Sequence, residues 1–294
     1  MTISGPSNEA GIIQFLPGVY ENMTPTVYHR QNSFSRHDML KAAVPAKLKW
    51  HKDHPGEDKP TPAQVIGSAF HTRLLEPKVF DTRYVVSPFE DYRSKGAKEW
   101  RDEFLKKGMT AISGDDMEMI DMMVQSAREH SDYSKVFGLG GLRRELTVIA
   151  KDPGTGLLIR ARYDIVPNAN LLADIKSAMD ASPEGFGKAV WNLDYGMQAA
   201  HYLHVWNLMH PDDQRNEFVF MAIEKEPPYL CAMYVTPHLL IDFCSKILRS
   251  RRYVIAECLK TNRWPGYDTV ALKDNEFELP RYALNDIERM EAVA

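Results

Sequence analysis

An α/β fold, with a mixed central sheet flanked by helices, is what this sequence predicts, and three observations carry it. Between residues 142 and 176, three short apolar runs are separated by tight turns. Before and after them, apolar residues recur at helical spacing. Hydrophobic residues make up 44% of the 294 and charged ones 26%, an ordinary globular composition that can bury a continuous core. No internal repeat or low-complexity tract interrupts the pattern. The length suits one large domain, residues 31–294, behind an N-terminal arm, residues 1–30.

In the arm, Pro6, Pro17 and Pro25 stand among Gly, Ser and Asn without periodicity, so an irregular segment is expected. Ser35 reads as the N-cap of RHDMLKAAVPAKLKW, and Pro45 should bend or split that helix. A second helix, Ala63 to Leu75, stops before Glu76-Pro77 and places Gly67 and His71 on one face. Polar helical stretches follow, Tyr92 to Lys107 and Gly114 to His130, read as a solvated outer layer.

After Gly138-Leu-Gly-Gly141 the pattern changes to strands. LRRELTVIA, LLIRARYDIV and LLADIK are divided by Asp152-Pro-Gly-Thr-Gly156 and Pro167-Asn-Ala-Asn170, a sheet meander. Helices are expected at Pro183 to Trp191 and Met197 to Met209. Two more strands, EFVFMAIE and YLCAMYV, flank Pro227-Pro228, and a long helix closes the domain from Pro237 to Thr261. Helices on both sides of a mixed sheet make a three-layer sandwich the favoured architecture.

Composition limits the function. Lys plus Arg is 36 against 40 for Asp plus Glu, a formal charge of -4, so no chain-wide cationic field draws nucleic acid or an anionic membrane. A polyanion must be held locally. Cys231, Cys244 and Cys258 are odd in number and widely spaced, which disfavours a disulfide framework or a Cys-x-x-Cys metal knuckle and fits a reducing cytoplasm. No apolar stretch reaches the roughly 18 residues of a membrane span, and the start lacks the pattern of a secretory leader.

The chemistry is concentrated in the meander. Side chains two apart in a strand share a face, so Asp164 lies with Arg160 and Arg162, opposite the apolar row Ile159, Ala161, Tyr163 and Ile165. By the same rule Asp174 and Lys176 share a face, opposite Leu171, Ala173 and Ile175. Two carboxylates on neighbouring strands can converge on a hard divalent cation, and the spacing Asp-x9-Asp-x-Lys is compatible with Mg²⁺. Alone, the triplet is weak, and chance outweighs it by roughly ten to one. Other candidates carry bland readings too. His71 fits a core histidine, Glu145 an exposed partner of Arg143 or Arg144, and Gln198 with Tyr202 ordinary helix packing. A zinc site from His51 with His54, or His201 with His204, lacks the Cys or Glu partners a closed site needs.

Taken together, GSAFH, RREL, RYD, ADIK and QAAHY stand in the order and spacing of the PD-(D/E)XK nucleases, in the version with an upstream histidine and a downstream Gln-x-x-x-Tyr. The chain specifically resembles the RecE-type, exonuclease VIII-like enzymes of phages and prophages, through SFSRHDMLKAAVPAKLKWH, IGSAFHTRLLEPKVFDTRYVV, DYRSKGAKEW and the segment from Glu145 to Tyr202. It covers roughly residues 27 to 210. Tyr163 replaces the proline of the motif, and Ser177 stands where threonine is usual.

The resemblance implies a restriction-endonuclease-like core and a Mg²⁺-dependent exodeoxyribonuclease, with Mn²⁺ able to substitute. His71, Asp164, Asp174 and the Ile175 backbone carbonyl would hold metal, Lys176 would orient or deprotonate water, Glu145 would make an outer contact, and Gln198 and Tyr202 would position Lys176 or a phosphate. It also implies digestion of one strand of linear duplex DNA from the 5′ end in a bacterial host's cytoplasm, a single-strand annealing partner, and a ring-shaped tetramer. Basic groups available to a DNA backbone are Lys246, Arg249, Arg251, Arg252, Lys260 and Arg263, and Arg93, Lys95 and Lys98. A RecB-like structure-specific nuclease without ring assembly, or a non-catalytic DNA- or partner-binding module, are the alternatives.

Overall fold

The computed structural model describes residues 15–54, 60–137 and 142–267, together with Arg281. The turn at Gly138 to Gly141 and residues 1–14 of the arm lie outside the described residues. Where the arm is described, it is not irregular: β1 (Gly18–Tyr20) and α1 (Pro25–His29) form there. β1 pairs antiparallel with residues 147–149, and Thr24 caps α1 through its side chain.

Ser35 caps α2 (Arg36–Lys41) in a capping box with Asp38, and Pro45 restarts the chain as α3 (Pro45–Asp53), the expected split. Thr61 and Gln64 make a second capping box on α4 (Pro62–Leu75), which gives way to α5 (Pro77–Arg83). β2 (Tyr84–Val86) and β3 (Thr110–Ile112) pair in parallel around α6 (Lys95–Lys106). Next come α7 (Gly114–Glu129) and α8 (Tyr133–Phe137). α6 is largely solvated, but α7 is not an outer layer: Ile120, Met123, Val124 and Ala127 are buried beside Phe70 and Leu74 of α4.

The meander forms β4 (Arg143–Lys151), β5 (Leu158–Val166) and β6 (Leu171–Ala178), antiparallel in succession. α9 (Pro183–Asn192) and α10 (Tyr195–Met209) then cross over to β7 (Glu217–Glu224), which runs parallel to β6. β8 (Cys231–Val235) closes the antiparallel edge, and α11 (His238–Thr261) follows. The main sheet has the order β1-β4-β5-β6-β7-β8 and is mixed as expected.

Two cores cover it. Leu172, Phe218 and Phe220 face Trp206 and Leu203 of α10 and Leu248 of α11; Ala173, Ile175, Val219 and Met221 face α4 and α7. The period-two alternation of β-strands sorts these neighbours to opposite layers, giving the three-layer sandwich. One expected row breaks. Ile159, Ala161 and Tyr163 belong to the α10 core, but Ile165 belongs to the other. Between Tyr163 and Ile165 the β4–β5 ladder skips the Glu145–Asp164 position, where Glu145 has a φ of +50°. A left-handed residue without a glycine costs about 1 kcal/mol or more, and here it shifts the strand's facing beside two acidic side chains.

Candidate active site at the parting of two strands

β5 and β6 meet in register at Ile165 and Ala173. Next to that pair a side chain takes over from the backbone: Asp164 Oδ2 accepts the Ile175 amide at 3.0 Å. Asp164 is thereby locked against β6, and His71 Nδ1 of α4 lies 3.3 Å from the same oxygen. α4 runs over this end of β6, with Gly67 facing the Ser177 hydroxyl.

Asp174 comes from the α10-facing side of β6. Gln198 donates its amide to Oδ1, and the Lys176 ammonium forms an ion pair at Oδ2. The Lys176 Nζ also sits 4.8 Å from the centre of the Tyr195 ring and 5.8 Å from that of Phe220, within reach of a cation–π attraction. Glu145 accepts from Arg162 Nε at 2.6 Å, and Arg162 donates onward to the Met23 carbonyl. Tyr163, standing in the place of a motif proline, donates its hydroxyl to the Tyr202 carbonyl at 2.8 Å and ties β5 to α10. The Tyr202 ring packs edge-on against Tyr163.

The electrostatics are unbalanced. Burial, then the Asp174 and Glu145 carboxylates, push the Asp164 carboxyl well above the ordinary aspartate range. Burial holds His71 below the usual histidine value despite nearby Asp174, so its neutral ring is favoured. Burial also raises the Tyr202 hydroxyl well above its usual value, with Asp174 and Asp164 adding to the effect. Asp174 Oδ2 is buried, and its partner is the Lys176 ammonium, held in an ion pair. A buried carboxylate is costly unless a cation completes it, and Lys176 is the cation the chain supplies to Asp174.

Among the described residues no three or more His, Cys, Asp and Glu side chains are gathered as a ready metal cage. The donor set nevertheless suits a hard dication. Two carboxylates repel one another, and the Ile175 backbone lies against both Asp164 and His71.

Residues 33–272 match the family described as a PDDEXK-like domain of unknown function (DUF3799). The chain belongs to this family. A candidate exonuclease from Eubacterium rectale has a crystal structure similar to this one, with a TM-score of 0.60 and 10% identity, covering 90% of this chain and 98% of that one. At that identity the likeness shows the fold, a restriction-endonuclease-like α/β core. A phage-related exonuclease from Haemophilus somnus 129PT aligns at a TM-score of 0.33 and 15% identity, over 58% of this chain and 85% of its own. No curated protein matches the chain. PDDEXK enzymes as a class use divalent metal ions.

The structure thus brings His71, Asp164, Asp174, Ile175, Lys176 and Gln198 together, with Glu145 and Tyr202 at the border. It differs from expectation in two contacts: Gln198 bonds Asp174 and not Lys176, and Glu145 pairs with Arg162 and not with Arg143 or Arg144. Tyr195, three residues before Gln198 in YGMQ, was not among the expected site residues, although helical spacing puts it on the same face. The histidine pairs are otherwise engaged: His201 Nε2 is 2.9 Å from the Arg160 carbonyl, His204 Nε2 is 3.1 Å from Asp152, and His54 bonds the Trp50 carbonyl. The basic group on α11 is also smaller than expected. Arg252 is buried in an ion pair with Asp152, and Arg251 donates to the Met39 carbonyl. Cys231, Cys244 and Cys258 are free thiols, and no helix among the described residues is long and apolar enough to cross a membrane.

Proposed function

We propose that this chain is a nuclease, specifically a Mg²⁺-dependent exodeoxyribonuclease of RecE type that digests one strand of linear duplex DNA from the 5′ end. The observation that carries the reading is the convergence of Asp174, whose Oδ2 is ion-paired to the Lys176 ammonium, with a second carboxyl, Asp164, that burial and then the neighbouring carboxylates hold toward its neutral form. Two buried carboxyls share the single Lys176 ammonium, and a further cation would relieve their mutual repulsion. Asp164 and Asp174 would hold Mg²⁺ or Mn²⁺, with the Ile175 carbonyl and the neutral His71 ring completing the set. The bound ion would polarise the scissile phosphate and ease deprotonation of the attacking water.

The chain's own groups do the rest. Lys176 places positive charge against the phosphate oxygen that gains charge as water attacks, and orients that water. Gln198 fixes the rotamer of Asp174, so that Oδ2 faces the reaction. Tyr195 and Phe220 restrict the Lys176 stem to one direction. Glu145, steered by Arg162, offers an outer acceptor for water. The product would be a 3′ single-stranded overhang suited to an annealing protein, and a ring-shaped tetramer in a bacterial cytoplasm would keep the enzyme on its substrate.

Linear duplexes labelled at the 5′ or 3′ end, with closed circles beside them, test this directly. Mg²⁺-dependent loss confined to linear DNA, with the 5′ label released first, is expected, and Lys176→Ala should abolish it. Equal cutting of circles would replace the exonuclease with a structure-specific enzyme. No cutting of any DNA with Mg²⁺ or Mn²⁺ would leave a binding module.

A further inference from the structure

The end of α9, its link to α10 and the start of α11 carry an apolar surface that the catalytic reading does not use. Trp191 is 67% exposed and Leu239, at the start of α11, is 84% exposed; Leu193 and Phe243 are also at least half exposed. The Trp191 and Phe243 rings stack, with centres 6.4 Å apart and an interplanar angle of 19°. The packing around this pair fixes its place. Leu240 sits directly on Gly196, where any added Cβ would collide with it at 2.8 Å, and Arg36 donates to the Leu193 and Asp194 carbonyls. The next residue after that anchored pair is Tyr195, whose ring lies against Lys176. The exposed aromatic pair, Trp191 at the end of α9 and Phe243 on α11, therefore borders the link that leads into Tyr195 beside the candidate catalytic lysine.

We infer that the Trp191–Phe243 pair is a stacking platform for unpaired nucleotides of the DNA beside the scissile phosphate. The inference rests on the nuclease reading and names the form of substrate that site engages. Flat, solvent-facing aromatic rings match the π-face of any base, so stacking on them is tolerant of sequence. Bases in a duplex interior are not available to such a surface, whereas those at an opened end are. Farther along the exposed face of α11, Lys246 and Arg249 have no ion-pair partner among the described residues and lie where the backbone of a stacked strand could run. The acids nearby are Asp242 on α11 and Asp194, which faces Arg251. A second copy of this chain is the competing occupant, and the test separates the two.

The probe is a fluorescein-labelled oligothymidylate, titrated in EDTA so that binding is read without cleavage. Trp191→Ala should weaken its affinity roughly tenfold and lower kcat/KM on blunt linear duplex by a similar factor, while Trp191→Phe keeps most of both. Phe243→Ala should act in the same direction. Lys176→Ala should lose digestion yet retain oligonucleotide binding within about threefold. Alanine at both aromatic positions with affinity and digestion unchanged would overturn the platform and leave the nuclease reading intact. So would a change in sedimentation coefficient of the alanine variants with affinity unchanged, which would make the patch a seam between subunits. If the wild type digests nothing, the nuclease reading fails, and the EDTA titration still decides the platform.

Discussion

Asp152 and Asp174 are buried almost equally, at 5% and 2% exposure, yet the fold treats them in opposite ways. Asp152, at the turn after β4, is saturated. Its Oδ1 meets His204 at 3.1 Å and Arg252 at 3.0 Å, and its Oδ2 accepts from the Thr155 amide and hydroxyl at 3.0 and 2.7 Å. Burial alone would raise its pKa, but Thr155, His204 and Arg252 together carry it below the usual value. Asp174 has one hydrogen bond, to Oδ1, one lysine, at Oδ2, and a neighbouring carboxyl raised by burial and by Asp174 itself. The contrast is between a carboxylate that four donors complete within the fold and one that shares a single lysine with a second acid, the acid we propose for a cation.

Exchanging the two acids in turn should break the comparison most clearly. Asp174→Asn should reduce Mg²⁺-dependent digestion of linear duplex a thousandfold or more, roughly 4 kcal/mol, with a Tm equal to or above that of the wild type. Asp152→Ala should do the reverse. It strands Arg252 in a buried position and should lower stability by about 3 kcal/mol in urea denaturation, with activity per folded molecule preserved. If Asp152→Ala lost activity while remaining folded, the division of labour would be wrong.

A pH titration sharpens the structural side. Burial holds the fully enclosed His201 down at about 3, so the unfolded chain binds a proton there that the folded chain refuses. Its contribution is complete above pH 6.5 and is lost as pH falls from 6.5 toward 3, at up to roughly 1.4 kcal/mol per pH unit. Asp152, whose folded pKa is depressed, adds a further loss only below about pH 4. Urea midpoints at pH 7, 5.5 and 4.5 should fall more steeply for the wild type than for His201→Gln; parallel slopes would remove His201 from the account. The smallest effect expected is from Tyr163→Phe, which deletes the hydroxyl bonded to the Tyr202 carbonyl and should cost about 1 kcal/mol, read in the same denaturation.

Much of this was legible in the residues. Short apolar runs between turns announced β4 to β8, the helical periods located α2 to α4 and α9 to α11, and the family resemblance, more than the spacing alone, singled out Asp164, Asp174 and Lys176. β1, β2 and β3 have three residues each, too few for any period to show, and they exist because partners elsewhere complete their ladders. The change of facing at Ile165 was invisible because it depends on one backbone angle at Glu145, on a different strand. The inward turn of Arg251 and Arg252 was likewise hidden: a charged run reads as solvated until the acid and the carbonyl that receive it are placed by the fold. The Gln198 contact was legible as a position on α10 but not as a partner, since the choice between Asp174 and Lys176 is set by how α10 lies over β6.

Isothermal titration of Mn²⁺ into the wild type and into Asp174→Asn tests the central claim most directly, because it needs neither DNA nor turnover. The wild type should bind the ion with measurable heat and gain thermal stability with its concentration, and the variant should do neither. Equal binding by the two proteins, or none by the wild type at millimolar Mn²⁺, would contradict the account.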